Sequence, residues 1–405
     1  MPEYLAPGVY VEETAYRSRA IQAVSTTTCA FVGPTRSGPV AGNEAPELLT
    51  SVAEFERIYG SAADLRFGDR VVPNYLAHAV RAYFEEGGVR LYVARVAAGR
   101  AQGDGLSGGG DGPAPQAADY VDALAAIDAL EDVSTFAAPG ATALGDAGNA
   151  ARVLQLQIDH ASHARAWRMA VLETPPGLDV ASVRALRRTL DSKHAALYYP
   201  WVVVANPAAS PRRADIPAEL ALPPAGFICG IFARNDVQRG VHKAPANEVV
   251  RSALRFDAPV TAAQQDLLNP EGVNCLRTFP GRGNRVWGAR TLSSDPEWKY
   301  VPMRRYFNYL EASLDRGTRW AALEPNGEPL WAELRTTIDA FLHNEWRNGA
   351  LLGTRSEQAY FVRCDRSTMT QDDLDHGRVV CLVGVAAIQP AEFMIFRITP
   401  QTAMG

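Results

Sequence analysis

The chain has 405 residues, 47% of them hydrophobic, with a formal net charge of −5. That length suits two domains and a core that needs no disulfide or metal staple. The acidic balance and the lack of a basic run exclude a nucleic-acid footprint, and no stretch nears the roughly 18 apolar residues of a membrane span, so direct membrane insertion is not expected.

Lysine occurs only at Lys193, Lys243 and Lys299, so 37 of the 40 basic residues are arginine. Codon bias explains this simply; the alternative is a protein rich in bidentate arginine–carboxylate pairs. Cys29, Cys229, Cys275, Cys364 and Cys381 are odd in number and far apart, and several sit inside apolar runs. They read as small buried hydrophobes, not a disulfide framework, which suits a reducing compartment. The N-terminus "MPEYLAPGVYVEE" carries no apolar signal core, so a protein made in the cytoplasm is expected.

In chain order, "PGVYVEET" alternates after a Pro-Gly break: a half-buried strand with no local hairpin partner. Such a terminal strand must join a sheet in its own chain or another. From about residue 25 strands and helices alternate. "TTCAFVGPT" is a strand and "SVAEFERIYG" a short helix closed by Gly60. "VPNYLAHAVRAYFEEGG" is a helix stopped at Gly87-Gly88, and "VRLYVARV" a strand. Residues 98–118 form a Gly/Ala/Pro linker, read as a flexible loop unable to pack a core. Next come the helix "YVDALAAIDAL", the strand "STFAAPG", the helix "AGNAARVLQLQIDHA" and the strand "WRMAVLETP". The helix "VASVRALRRTLDS" and the strand "ALYYPWVVVA" close the series. Buried strands with helices between them predict an α/β domain with a mostly parallel sheet and helices on both faces. Residues 205–224 read as a surface loop.

After about residue 275 the character becomes α+β. "RVWGARTL" is strand-like. In "VPMRRYFNYLEASLDRG", Met303, Phe307, Leu310 and Leu314 fall at helical spacing. In "EPLWAELRTTIDAFLHNEWRNG", Trp331, Leu334, Ile338, Phe341 and Trp346 line one stripe, with Gly349 at the end. Three strands follow: "QAYFVRCD", "GRVVCLVGVAA" and "AEFMIFRIT". Thr370 and Asp373 between the first two have capping-box spacing. The strand Val379 to Ala387, apolar on both faces, is expected to be buried.

No motif carries chemistry. "FPGRGNRVWGAR" (279–290) has Gly281 and Gly283, but Val286 holds the third position of a dinucleotide fingerprint, and Ala289-Arg290 replace the Lys-Ser/Thr of a phosphate loop. The following segment is extended, so no helix N-terminus faces these glycines; they read as a tight turn. His160 and His163, beside Asp159, could share a metal, but no third ligand is signalled. "QDDLDH" (Asp372, Asp373, Asp375, His376) lacks the calcium-loop pattern. There is no Gly-x-Ser-x-Gly and no paired catalytic carboxylate. No enzyme, metal or cofactor is expected; a nucleotide-binding α/β enzyme is the rival reading and lacks its phosphate loop.

Several long stretches resemble contractile phage tail sheath proteins: "PGVYVEE" with "AVSTTTCAFVGPTRSGP", "FICGIFARND" with "GVHKAPANE", "LNPEGVNCLRTFPGRGNRVWGARTLSSDPEWKYVPMRRYFNYLEASL", and "MTQDDLDHGRVVCLVGVAAIQPAEFMIFRIT". They run in order from near residue 7 to near residue 400. The short length is similar to the sheaths of R-type pyocins and extracellular contractile injection systems; the larger sheath subunit of a type VI secretion system is the alternative within the class.

The resemblance implies an outer α/β domain inserted into an α+β inner domain formed by both chain ends. Residues 1–24 would be an N-terminal arm, 25–275 the outer domain, 276–388 the inner core and 389–405 a C-terminal arm. It implies hexameric rings stacked around an inner tube, with the arms adding strands to neighbouring subunits: Val9, Tyr10, Val11 and Glu12 at one end; Phe393, Met394, Ile395, Phe396 and Ile398 at the other. The receiving sheet would hold Phe361, Arg363, Val380, Leu382 and Gly384. Pro280, Gly281, Arg282, Gly283, Arg285, Trp287, Gly288 and Arg290 would lie at the domain junction. Arg335, Asp339, Glu345 and Arg347 are the candidates for facing the tube. The implied partners are further copies of this chain, the inner tube protein, baseplate and terminator or cap proteins, and sister sheath paralogues.

Overall fold

The computed structural model describes residues 20–392, apart from 42–43, 99–110, 211 and 213–215. By contact density the chain forms two compact units, divided inside a helix at Ser313.

The larger unit, Ala23–Ala312 with residues 387–392, holds β1 (Thr28–Gly33), β2 (Glu47–Leu49), α1 (Val52–Tyr59), β3 (Leu65–Phe67), β4 (Arg70–Val72), α2 (Tyr75–Glu86), β5 (Arg90–Arg95), α3 (Tyr120–Asp128), β6 (Thr135–Ala137), α4 (Ala147–Ala161) and β7 (Met169–Glu173). It continues with α5 (Val180–Arg187), β8 (Ala195–Tyr199), β9 (Val202–Ala205), β10 (Glu219–Leu222), α6 (Ala225–Arg239), β11 (Arg255–Phe256), α7 (Ala262–Leu268), β12 (Val273–Phe279), β13 (Gly283–Trp287) and most of α8 (Val301–Gly317).

Its main sheet runs β13-β12-β8-β7-β6-β1-β5-β2. The strands from β12 to β5 are parallel, and the edges β13 and β2 are antiparallel. Each central strand is apolar on both faces, so its residues divide by parity. Cys29 and Phe31 join one core with α1, α2 and α6. Ala30 and Val32 join the other with α3, α4 and α5. The chain steps from β1 to β5 one way and then from β6 to β8 the other way. With right-handed crossovers, that reversal puts α1 and α2 on one face and α3, α4 and α5 on the other.

Local chemistry sets the helix ends. Ser51 and Asp146 accept hydrogen bonds from the Glu54 and Asn149 N–H groups, 3.3 and 2.7 Å long, and Gly87 stops α2 at a φ of +111°. Glu86, fully buried, binds Arg234 of α6 at 2.7 Å.

Several elements differ from the sequence reading. "ALYYPWVVVA" is two strands in two sheets: β8 ends before Pro200, which has no N–H to continue a ladder, and β9 starts a separate β10-β9-β11 sheet. The stretch 205–224 includes β10, antiparallel to β9. Residues 111–119 do pack: the Asp111 carboxylate accepts the Arg66 N–H at 2.7 Å, and Ala117 is buried. Helices α6 and α7 went unread.

The smaller unit comprises residues 20–22 and Ser313–Ala386. It holds the end of α8, α9 (Glu328–Arg347), α10 (Ser356–Ala359), β14 (Tyr360–Arg363), α11 (Gln371–Asp375) and β15 (Leu382–Val385). Leu330, Trp331 and Leu334 pack with Cys364 and Met369, while Trp346 is only half buried. The predicted capping box forms: Thr370 and Asp373 exchange hydrogen bonds at the start of α11. β15 is shorter than read and is not buried; Leu382 is half exposed. Among the described residues its sheet has two strands, β14 and β15.

Candidate functional site

The glycine-arginine stretch 279–290 forms the turn and returning strand of the β12–β13 hairpin, at the edge of the large sheet. Pro280 is exposed, and Gly281 and Gly283 sit at φ values of +71° and +74°, which a β-carbon would disfavour. Gly288 lets the backbone approach Asn274; a Cβ there would lie 2.8 Å from its Oδ1. Trp287 packs on Phe279 with ring centroids 4.5 Å apart, and Arg282 lies over both rings. The stretch therefore stays within the larger unit, which continues to Ala312.

The three arginines have separate fates. Arg282 donates to Asn247 Oδ1 at 2.8 Å, and Arg285 to the Asn247 carbonyl at 2.7 Å. Neither meets a carboxylate among the described residues. Arg290 alone forms the expected bidentate pair, with Glu392.

The receiving sheet of the sequence reading is β14–β15, an antiparallel pair. Phe361, Arg363, Leu382 and Gly384 share one face. Phe361 is 51% exposed and Leu382 49%. The Phe361 ring lies over Gly384, where a Cβ would fall 2.2 Å from it, and the Arg363 guanidinium caps the ring at 5.4 Å. The other face meets α9, where the Tyr360 hydroxyl and His343 Nδ1 are 3.5 Å apart. Val380 is not on the sheet: it precedes β15, and its carbonyl accepts from Thr368 Oγ1 at 2.7 Å. Among the described residues no third strand joins this pair. Open edges carry unpaired N–H and C=O groups and so template another strand, and a two-stranded sheet alone is marginal. The arm residues Val9, Tyr10, Val11, Glu12, Phe393, Met394, Ile395, Phe396 and Ile398 lie outside the described residues.

On α9, Asp339 and Arg347 are exposed and Glu345 is half buried. Arg335 is partly committed inward, donating to the Cys364 carbonyl at 3.0 Å.

The structure does supply a third group beside His160 and His163, namely Asp128. Arg168 already fills the cation's place there: its Nη1 lies 3.1 Å from Asp128 Oδ1 and 3.2 Å from His160 Nε2. A dication would face that buried guanidinium, so the residues do not suit a metal. The cysteines are unpaired, and four of the five are buried. No helix of the described residues is long and apolar enough to cross a membrane.

Residues 114–292 match the family model of the phage tail sheath protein central domain, and residues 293–400 that of the phage tail sheath C-terminal domain. A prophage major tail sheath protein of Pseudomonas aeruginosa (strain UCBPP-PA14) is 25% identical over 236 residues, 57% of each chain. The match thus spans little more than half of that relative's length. Two solved structures align over nearly the whole chain. One is the sheath complex of an extracellular contractile injection system, PVC, in its contracted state: 28% identity, 98% of both chains and a TM-score of 0.76. The other is the contracted helical sheath of the anti-feeding prophage: 29% identity, 98% of this chain, 99% of that one and a TM-score of 0.74. The chain belongs to the phage tail sheath family.

Proposed function

We propose that this protein is the structural subunit of a contractile sheath, which polymerises as stacked hexameric rings around an inner tube and shortens to drive that tube through a target membrane. What carries the reading is the near full-length likeness to contracted sheath subunits, in a chain whose smaller unit exposes an incomplete two-stranded sheet. The larger unit is the outer domain and the smaller one lies towards the tube.

Strands from neighbouring arms complete the β14–β15 sheet, 9–12 from one copy and 393–398 from another. Added strands satisfy the open edges through main-chain hydrogen bonds, which tolerate changes in the angle between subunits. Rigid bodies on such hinges can adopt two packings without bound nucleotide. The assembly partners are other copies, the tube and the baseplate, and the α9 charges Asp339 and Arg347 face the tube.

Electron microscopy of the purified chain tests this: it is expected to polymerise into tubular sheaths of stacked rings. A chain that stays monomeric at every concentration and salt condition would overturn the reading.

A further inference from the structure

Glu392, the last described residue of the chain, is held by a dense set of donors. Arg290 Nε donates to its Oε1 and Arg290 Nη2 to its Oε2, both at 2.7 Å. Asn269 Nδ2 donates to Oε1 at 2.8 Å and the Tyr300 hydroxyl to Oε2 at 2.9 Å. Lys299 Nζ lies 3.7 Å from Oε2. Each carboxylate oxygen therefore accepts two hydrogen bonds, and two cations face it.

The donors are positioned by the fold and not by Glu392. The Arg290 side chain is only 7% exposed. Its N–H donates to Asn274 Oδ1 and its carbonyl accepts from Asn274 Nδ2, both at 2.7 Å. Its Nη1 donates to the Asn269 carbonyl at 2.9 Å. Arg290 also bridges to Tyr300 in an antiparallel pair of residues. Asn269 follows α7, Arg290 follows β13 and Tyr300 precedes α8, so three separate turns of the larger unit converge on one point. Burial pushes the Glu392 carboxyl up, but the hydrogen bonds from Arg290, Asn269 and Tyr300 outweigh it and hold it at about 2.

We propose that Asn269, Arg290, Lys299 and Tyr300 form a carboxylate socket whose ligand is Glu392, and that this socket is the mechanical root of the C-terminal arm. The residues proposed to reach a neighbour, 393–398, follow Glu392 in the sequence. A fixed root means that tension on the arm reaches the larger unit through this bidentate pair, with the chain up to residue 392 held in place. Bidentate charge-assisted pairs suit this task, because they fix orientation as well as distance. The role as arm root rests on the sheath reading; the socket itself does not.

The full chain tests both parts. In Glu392→Ala the socket is left without its ligand. Acetate, compared with chloride at equal ionic strength, is expected to raise the thermal midpoint of Glu392→Ala and to leave the wild type unchanged. In the milder Glu392→Gln, backbone amides of residues 387–392 are expected to exchange roughly tenfold or more faster than in the wild type, as loss of a charged hydrogen-bonded pair should allow. Exchange unchanged in Glu392→Gln, or no acetate response in Glu392→Ala, overturns the socket. Microscopy tests the root: both variants should remain folded, and Glu392→Ala should lose ordered sheaths. Wild-type sheaths from Glu392→Ala overturn the mechanical role. Failure of the wild type to form any sheath overturns the sheath reading instead, with the exchange and acetate results still deciding the socket.

Discussion

Glu173 sits in the larger core as a carboxyl with one unfilled oxygen. Its Oε1 accepts the Gly140 N–H at 2.6 Å, while Oε2 is buried with no partner among the described residues. Burial raises its pKa to about 8, against the Gly140 hydrogen bond that pulls it down. An acid raised in the folded state is neutral on both sides of the unfolding equilibrium below its ordinary pKa. As pH rises from about 4.5 to 8 the unfolded chain ionises first, so stability falls by up to about 1.4 kcal/mol per pH unit and then levels off. Glu173→Gln keeps the acceptor for Gly140 and cannot ionise. It is therefore expected to be more stable than wild type by a few kcal/mol at pH 8–9 and equal to it near pH 4, as read from urea midpoints across pH; parallel wild-type and variant curves would refute this. His160 slopes the other way. Burial, with a contribution from Arg168, lowers it to about 4 against the pull of Asp128, so stability falls as pH drops from its ordinary value towards 4. Both chains carry His160, so its slope cancels in the difference between wild type and Glu173→Gln, and the comparison can run from pH 4 to 9.

α2 packs closely on α6, and two glycines make this possible. A Cβ on Gly230 would lie 2.5 Å from the Tyr83 carbonyl oxygen, and one on Gly226 would lie 2.7 Å from the Ala79 Cα. Backbone cannot rotate aside as a side chain can, so Gly230→Ala must push the helices apart. A loss of about 1–3 kcal/mol is expected in chemical denaturation. Gly148→Ala, on the exposed first turn of α4 with nothing nearer than 3.4 Å, is expected to be neutral or to stabilise by up to about 1 kcal/mol. If both substitutions cost the same, close approach is not what Gly230 provides. The same helix shows what the sequence could and could not tell. Ala225–Asp236 is buried all round, so it lacks the one-sided period by which α2, α4, α8 and α9 were legible. Caps were legible because they are local, as at Gly60, Gly87 and the Thr370–Asp373 box. Sheet partners were not: nothing near Arg290 points to Glu392, 102 residues away, and nothing in "GRVVCLVGVAA" says that β15 would have one partner strand and an open face. That apolar run was legible as strand, and its exposure follows from what the chain leaves unpaired.

At the scale of the whole molecule, the sheath reading makes the arms dispensable for folding and necessary for assembly. Residues 20–22 are the first described part of the smaller unit, where Ile21 packs so closely on Gly317 that a Cβ there would lie 2.6 Å from it. Removal of residues 1–19 spares that contact, so the truncated chain should keep the wild-type thermal midpoint and form no sheaths by microscopy; normal long sheaths would remove the N-terminal strand from the assembly mechanism. The tube contact needs a different probe, because a charge reversal that unfolds the smaller unit would mimic lost attachment. Arg335 fails that requirement, since its guanidinium holds the Cys364 carbonyl. Asp339 and Arg347 meet it: both are exposed, and exposed charges contribute little to stability. Asp339→Lys with Arg347→Glu should leave the unfolding free energy within about 0.5 kcal/mol of wild type, and sheaths should still form, because the proposed strand exchange uses main-chain groups. What should fall is the fraction of sheaths that retain a tube, counted in micrographs of co-expressed particles, and the difference from wild type should narrow as salt screens the charges. Tubes retained at the wild-type fraction in the double variant would remove α9 from the proposed tube contact, with the β14–β15 face as the next to probe.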